Sequence, residues 1–209
     1  MSEQLGIFDV IYHCRAMRRL KPDPVPEELL LRICEAGNQA PTGSNMQGVR
    51  WIIVRDPEQR ARLAALNKTS VLNYIDTRRV GEVPHHDPAK RQRMLDAVLW
   101  QAEHMGEVPA LILACHQWLE APADDAARAG AGGSVWPAVQ NALLAARALG
   151  LGAAPTTLGL VDKPAVREVL GVPDTVEPYV LIPVGYPLGN FGPLTRLPVE
   201  ETVRYDRWE

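Results

Sequence analysis

Hydrophobic positions are densest over residues 133–149, GSVWPAVQNALLAARAL. Val135, Trp136, Ala138, Val139, Ala142, Leu143, Leu144, Ala145, Ala146, Ala148 and Leu149 fall on every side of a helical projection. A helix that is apolar all round belongs in a core. Ser134 is suited to cap it, because a serine hydroxyl accepts from an unpaired amide of the first turn. Pro137 then sits in that first turn, and Gly150 or Gly152 can close the far end in the left-handed conformation. Roughly sixteen residues at 1.5 Å each span about 24 Å, enough to cross a small domain. Gln140 and Asn141 interrupt the apolar wrapping. Buried amides need partners, which core backbone would supply, or alternatively a bound molecule.

Elsewhere the pattern alternates between helical and strand periods. Residues 5–13 predict a short amphipathic helix with Ile7, Val10 and Ile11 on one face. PDPVP at 22–26 is an extended linker. A helix opens near Glu27, with Glu27 and Glu28 in the first turn, where acids are favoured, and Leu29, Leu30, Ile33, Cys34 and Gly37 facing inward. DPEQRARLAALNK at 56–68 predicts a turn and a helix with Leu63 and Leu66 inward. Another helix is expected over about 88–105. Asp162, Pro164 and Gly171 bracket a short helix as cap, first-turn residue and terminator. Buried strands are expected at 51–54, 110–115 and 179–184. EAPADDAARAGAGG at 120–133 reads as a flexible connection, and APTTLGL at 154–160 as an extended stretch or tight turn. Helices between scattered short strands indicate an α+β fold. No repeat or second domain is evident, so residues 1–209 form one domain.

Composition narrows the chemistry. Hydrophobic residues make up 46%, enough for a core without staples, and with only five Trp, five Tyr and two Phe its packing must be mostly aliphatic. A net charge of −3 provides no basic surplus for nucleic acid. Cys14, Cys34 and Cys115 are odd in number and lack CxxC spacing, as expected of reduced thiols in a cytoplasmic protein. The N-terminal residues show no signal-peptide pattern. Arg147 interrupts the longest apolar run, which is too short to span a bilayer. No Gly-x-Ser-x-Gly elbow or HExxH helix is present. The glycines at 130, 132 and 133 make no P-loop, and 150–155 makes no dinucleotide fingerprint. His85-His86-Asp87 lacks the further ligands a metal needs. Cys34 and Cys115 lie in apolar settings, and Cys14 has no partner base. A cofactor is therefore expected to carry any reaction. Arg15, Arg18 and Arg19 are either a solvated cluster or an anion site, since guanidinium groups bind phosphate bidentately.

Four stretches in order, CRAMRRL with PVPEELLLRICEAG, APTGSNMQGVRWIIV, SVWPAVQNALLAARALGLG with APTTLG, and VGYPLGNFGPLTRLP, resemble the FMN-dependent nitroreductase family over nearly the whole chain. The resemblance implies a nitroreductase-like fold: a central mixed, mostly antiparallel sheet flanked by helices, a long core helix and a domain-swapped tail at 187–209 that embraces a partner. It implies FMN held by Arg15, Ala16 (through backbone), Arg18 and Arg196. Cys14 and Ala16 stand where an arginine and a serine are usual, leaving Arg15 or Arg196 to compensate. Pro41, Thr42, Gly43, Ser44, Asn45 and Gln47 match a loop that reaches flavin from the partner subunit. Gly48-Val49 replaces a common Pro-Trp. Pro155, Thr156, Thr157 and Leu158 match a turn against the isoalloxazine ring, with Ser134 near a further contact. An Asn-x-x-Lys pair found in some members has no clear counterpart; Asn67, Lys68 and Asn73 are the available residues. Residues 69–107 would cover the site. The implied activity is ping-pong transfer from NADH or NADPH to nitroaromatic or quinone acceptors, in a cytoplasmic homodimer without metal or nucleic acid. A flavin oxidase or dehalogenase acting on a specific metabolite, and a non-catalytic flavin-storage protein, are the alternatives.

Overall fold

The computed structural model describes residues 5–77, 87–120 and 124–208. In chain order these contain α1 (Ile7–His13), α2 (Glu27–Asn38), β1 (Val49–Val54), α3 (Pro57–Thr77), α4 (Pro88–His104), β2 (Ala110–Gln117), α5 (Asp125–Ala148), β3 (Gly152–Ala153), α6 (Lys163–Leu170), β4 (Val176–Gly185) and α7 (Val199–Thr202). The three apolar runs pair, with β3 added, in the order β1-β2-β4-β3. Every pairing among the described residues is antiparallel.

Successive residues of β2 and β4 point to opposite faces, and both faces are covered. Ala110, Ile112, Ala114, Val180, Ile182 and Val184 pack with Leu30 and Ile33 of α2 and Val135, Ala138 and Ala142 of α5. Leu111, Leu113, Cys115 and Leu181 pack with Leu63 of α3 and Val166 and Val169 of α6. The result is two cores in three layers. Gly37 lets α2 approach β1 closely, because a Cβ there would lie 2.4 Å from the Trp51 ring.

The core helix differs from expectation at its start. It begins at Asp125, so Ser134 and Pro137 lie inside it and the glycine-rich stretch is helical. Tertiary contacts outweigh the poor helix propensity of Gly130, Gly132 and Gly133. The Tyr179 hydroxyl donates to the Arg128 carbonyl, and Arg128 pairs with Glu177 at 3.0 Å. The helix is also not wrapped all round: Trp136 is 44% exposed and Gln140 faces outward, while Asn141 donates to the Ala36 carbonyl at 3.4 Å.

Only Val10 of the α1 apolar face is buried, and Ile7 is 60% exposed. Residues 69–77 continue α3 beyond the helix expected within 56–68. Arg78, Arg79, His85 and His86 fall outside the described residues. The tail first runs back along its own chain: the Lys21, Leu188 and Leu194 amides donate to the Tyr186, Arg19 and Tyr12 carbonyls at 2.8, 3.0 and 3.3 Å. Beyond it, Val199, Val203, Tyr205 and Trp208 are exposed. Among the described residues no helix is long and apolar enough to cross a membrane.

Candidate cofactor site

Residues 14–19 leave α1 in extended conformation and lie beside the end of the sheet, where the Met17 amide donates to the Ala153 carbonyl at 3.0 Å. Arg15 and Ala16 are exposed, and Arg18 is half-buried. Burial lowers the Arg18 pKa, yet its guanidinium has neither hydrogen bond nor ion pair among the described residues. The backbone bond from Leu194 to Tyr12 carries the Arg196 segment alongside, and among the described residues exposed Arg196 donates only to the Thr195 carbonyl, at 2.9 Å. None of these three arginines has a carboxylate partner among the described residues. Cys14 lies 3.6 Å from the Leu143 carbonyl oxygen, and burial raises its thiol pKa against the opposing charge of Arg147.

The turn after β3 adjoins this strip. Thr156 exchanges backbone bonds with Leu181 of β4 at 2.8 and 3.1 Å. Its hydroxyl donates to Asn67 Oδ1 at 2.9 Å, and Gln101 Nε2 donates to the Ala154 carbonyl at 3.4 Å. The turn is thus gripped by α3, α4 and β4. Leu158–Leu160 is a 3-10 turn bonded through the Leu160 and Val161 amides. The Thr157 and Leu158 amides precede those bonds and donate to no backbone carbonyl among the described residues. Pro155 and Thr157 are exposed. Asn67 has no assigned counterpart in the resemblance, and Gln101 gives no motif at all. The one signal for Asn67 is its spacing between buried Leu63 and Val71 on the inner face of α3.

The polar loop at 41–47 is elsewhere. Ser134 does not cap α5; its hydroxyl accepts from the Gly43 amide at 3.1 Å and anchors this loop. Thr42 Oγ1 accepts from the Gln47 amide at 3.1 Å. Ser44, Asn45 and Gln47 adopt φ of 50, 53 and 49°, left-handed backbone that Asn tolerates better than most residues. Pro41, Gly43, Ser44, Asn45 and Gln47 are exposed, and Thr42 is half-buried. From Ser134 to Arg147 α5 rises about 20 Å. One chain therefore brings together Arg15, Ala16, Arg18, the Arg196 segment and the 155–158 turn, and holds the loop and Ser134 toward the other end of the core helix. Beside the loop, a Cβ at Gly48 would lie 2.5 Å from His116 Nε2, so the histidine fills the space a larger residue would need.

The sequence profile described as the nitroreductase family matches residues 11–186. The chain belongs to this family. A relative named NADH dehydrogenase, from Thermus thermophilus, is 33% identical over 90% of this nitroreductase-family chain and 90% of its own length. An iodotyrosine deiodinase from Thermotoga neapolitana is 28% identical over 87% of this chain and 88% of its own. The crystal structure of an oxidized iodotyrosine deiodinase bound to FMN and 3-iodo-L-tyrosine superposes with a TM-score of 0.75 at 25% identity, covering 97% of this chain and 100% of that one. The α+β nitroreductase fold is thereby established. Among the described residues no cluster of His, Cys, Asp and Glu could hold a metal.

Proposed function

We propose that the chain is an FMN-dependent oxidoreductase that draws on NADH or NADPH, reduces nitroaromatic or quinone-type acceptors, and works as a cytoplasmic homodimer. The carrying observation is the strip of guanidinium groups without acidic partners beside a turn with two free amides. Such a donor set suits a dianionic phosphate joined to an electron-rich ring. Arg15 and Arg196 hold the phosphate, while Arg18 and the Ala16 backbone meet the pyrimidine edge. The amides of Thr157 and Leu158 aim at the ring, and Pro155 and Thr156 shape the surface beneath it. The 41–47 loop and Ser134 act on the cofactor of a second copy, with the 187–209 tail securing the dimer and 69–107 covering the site.

Bound FMN supplies the hydride chemistry, accepting from nicotinamide and passing electrons to the oxidant in alternating half-reactions. The arginines favour negative charge on the reduced cofactor, and the half-buried position of Arg18 strengthens its share of that effect. No side-chain acid or base is required for hydride transfer.

A yellow protein whose bound flavin bleaches on anaerobic mixing with NADH or NADPH, and recovers its colour with a nitroarene or quinone, would bear this out. A protein indifferent to FMN would refute it. The likeness to iodotyrosine deiodinases supports a second reading, reductive dehalogenation of a specific aromatic metabolite. Recovery of colour with 3-iodotyrosine and release of iodide, without turnover of nitroarenes, would select that reading. Failure to bleach with either nicotinamide would indicate flavin storage.

A further inference from the structure

We infer that Arg147 is an additional ligand of the cofactor phosphate, supplying from the core helix the charge that position 14 lacks. This rests on the FMN reading above. Arg147 stands in the last turn of α5, one turn beyond Leu143, whose carbonyl faces the Cys14 thiol. Its guanidinium carbon lies 4.1 Å from the centre of the Phe191 ring. A Cβ on the next residue, Gly192, would be 4.0 Å from Arg15 Nη1. The end of α5, residues 14–15 and residues 191–192 therefore meet, and both guanidinium groups border the 191–192 segment.

Arg147 Nε is buried and has no hydrogen-bond partner among the described residues. Neither arginine has an ion pair among the described residues. A buried donor without an acceptor is costly, and two neighbouring cations repel, so the cluster is incomplete without an anion. The simpler role, a cation answering the helix C-terminus, would place donors on the last carbonyls. Arg147 makes no such hydrogen bond. Stacking on Phe191 leaves the guanidinium edge available for bidentate contact with phosphate oxygens.

FMN and riboflavin differ only in the phosphate, so their relative affinities isolate this contact. Wild type, Arg147→Gln and Arg147→Lys are each titrated with both flavins, following fluorescence quenching. Arg147→Gln should lose about tenfold or more in FMN affinity, as expected for one charge-assisted contact, and keep its riboflavin affinity. Arg147→Lys should recover part of the loss. Adding Cys14→Arg to Arg147→Gln should restore the FMN preference by returning a cation to the same place. An unchanged FMN-to-riboflavin ratio in Arg147→Gln overturns the inference, as does an equal loss for both ligands. Wild type binding neither flavin instead overturns the FMN reading itself.

Discussion

Arg196 projects from the surface just past the last backbone bond tying the tail to α1, free to turn onto an anion. Arg196→Ala should lower FMN affinity by about tenfold, the scale of a charged hydrogen bond, without changing the melting temperature. The flavin-to-protein ratio after gel filtration measures it. His116 is the opposite case, 8% exposed, its ring 4.5 Å from that of Trp118 and its Nδ1 without a partner. Burial, then the charge of Arg50, lowers its pKa below 6.5. The folded state thus favours neutral imidazole, and stability falls as pH drops below the unfolded value toward the folded one. His116→Gln should flatten that slope, read from urea midpoints at about pH 5 and about pH 8. Burial also pushes the Cys34 and Cys115 thiols up to about 11 and about 12, so the inertness read from their apolar neighbours follows. The crowding at Gly48 was not legible, because His116 approaches it from another strand.

Two helices of different sequence position grip one turn. Asn67 of α3 takes the Thr156 hydroxyl and Gln101 of α4 takes the Ala154 carbonyl. Thr156→Val keeps the shape but leaves Asn67 Oδ1 buried without its donor, costing about 1–3 kcal/mol. It should also shift the midpoint potential of bound flavin, since the amides of Thr157 and Leu158 would lose their registration. Potentiometric titration and urea unfolding read these two effects separately. Glu177 performs a similar task for α5. Burial raises its pKa, but the Lys163 hydrogen bond and the charges of Lys163, Arg167 and Arg128 outweigh that and hold it below 4.5. Its contribution is present above the ordinary carboxylate pKa and is lost as pH falls through the lowered value. Glu177→Gln should cost about 2–3 kcal/mol, less than for a wholly enclosed ion pair because Lys163 and Arg128 reach water. Hydrogen exchange should accelerate at the start of α5, where the glycines depend on Arg128.

At the scale of the molecule, apolar surface remains uncovered at several places, among them α1, α5 and the tail. Ile7 and Phe8 of α1, Trp136 of α5, and Tyr205 and Trp208 near the end of the chain all face outward. In the proposed homodimer a second copy would cover such surface and bring its 41–47 loop to the arginine strip. Deleting residues 198–209 spares the backbone bonds between the tail and residues 12–21. The truncated chain should stay folded, sediment as a monomer and lose flavin. An intact, yellow dimer would exclude the tail from the assembly.

The sequence by itself determined what each residue's own preference for water or core can encode. The three strands, the inward face of α2 and the caps of α6 were legible in the spacing of apolar residues, acids, prolines and glycines. The ordered motifs carried the family. Tertiary structure alone decided where α5 begins, because Arg128 is held by Glu177, 49 residues away. It likewise turned Ser134 from a helix cap into a loop anchor, aligned Asn67 and Gln101 on one turn, and set Arg147 over the Phe191 ring. Periodicity records which side of an element meets water; the partner a polar group finds depends on distant chain, and no local pattern carries that.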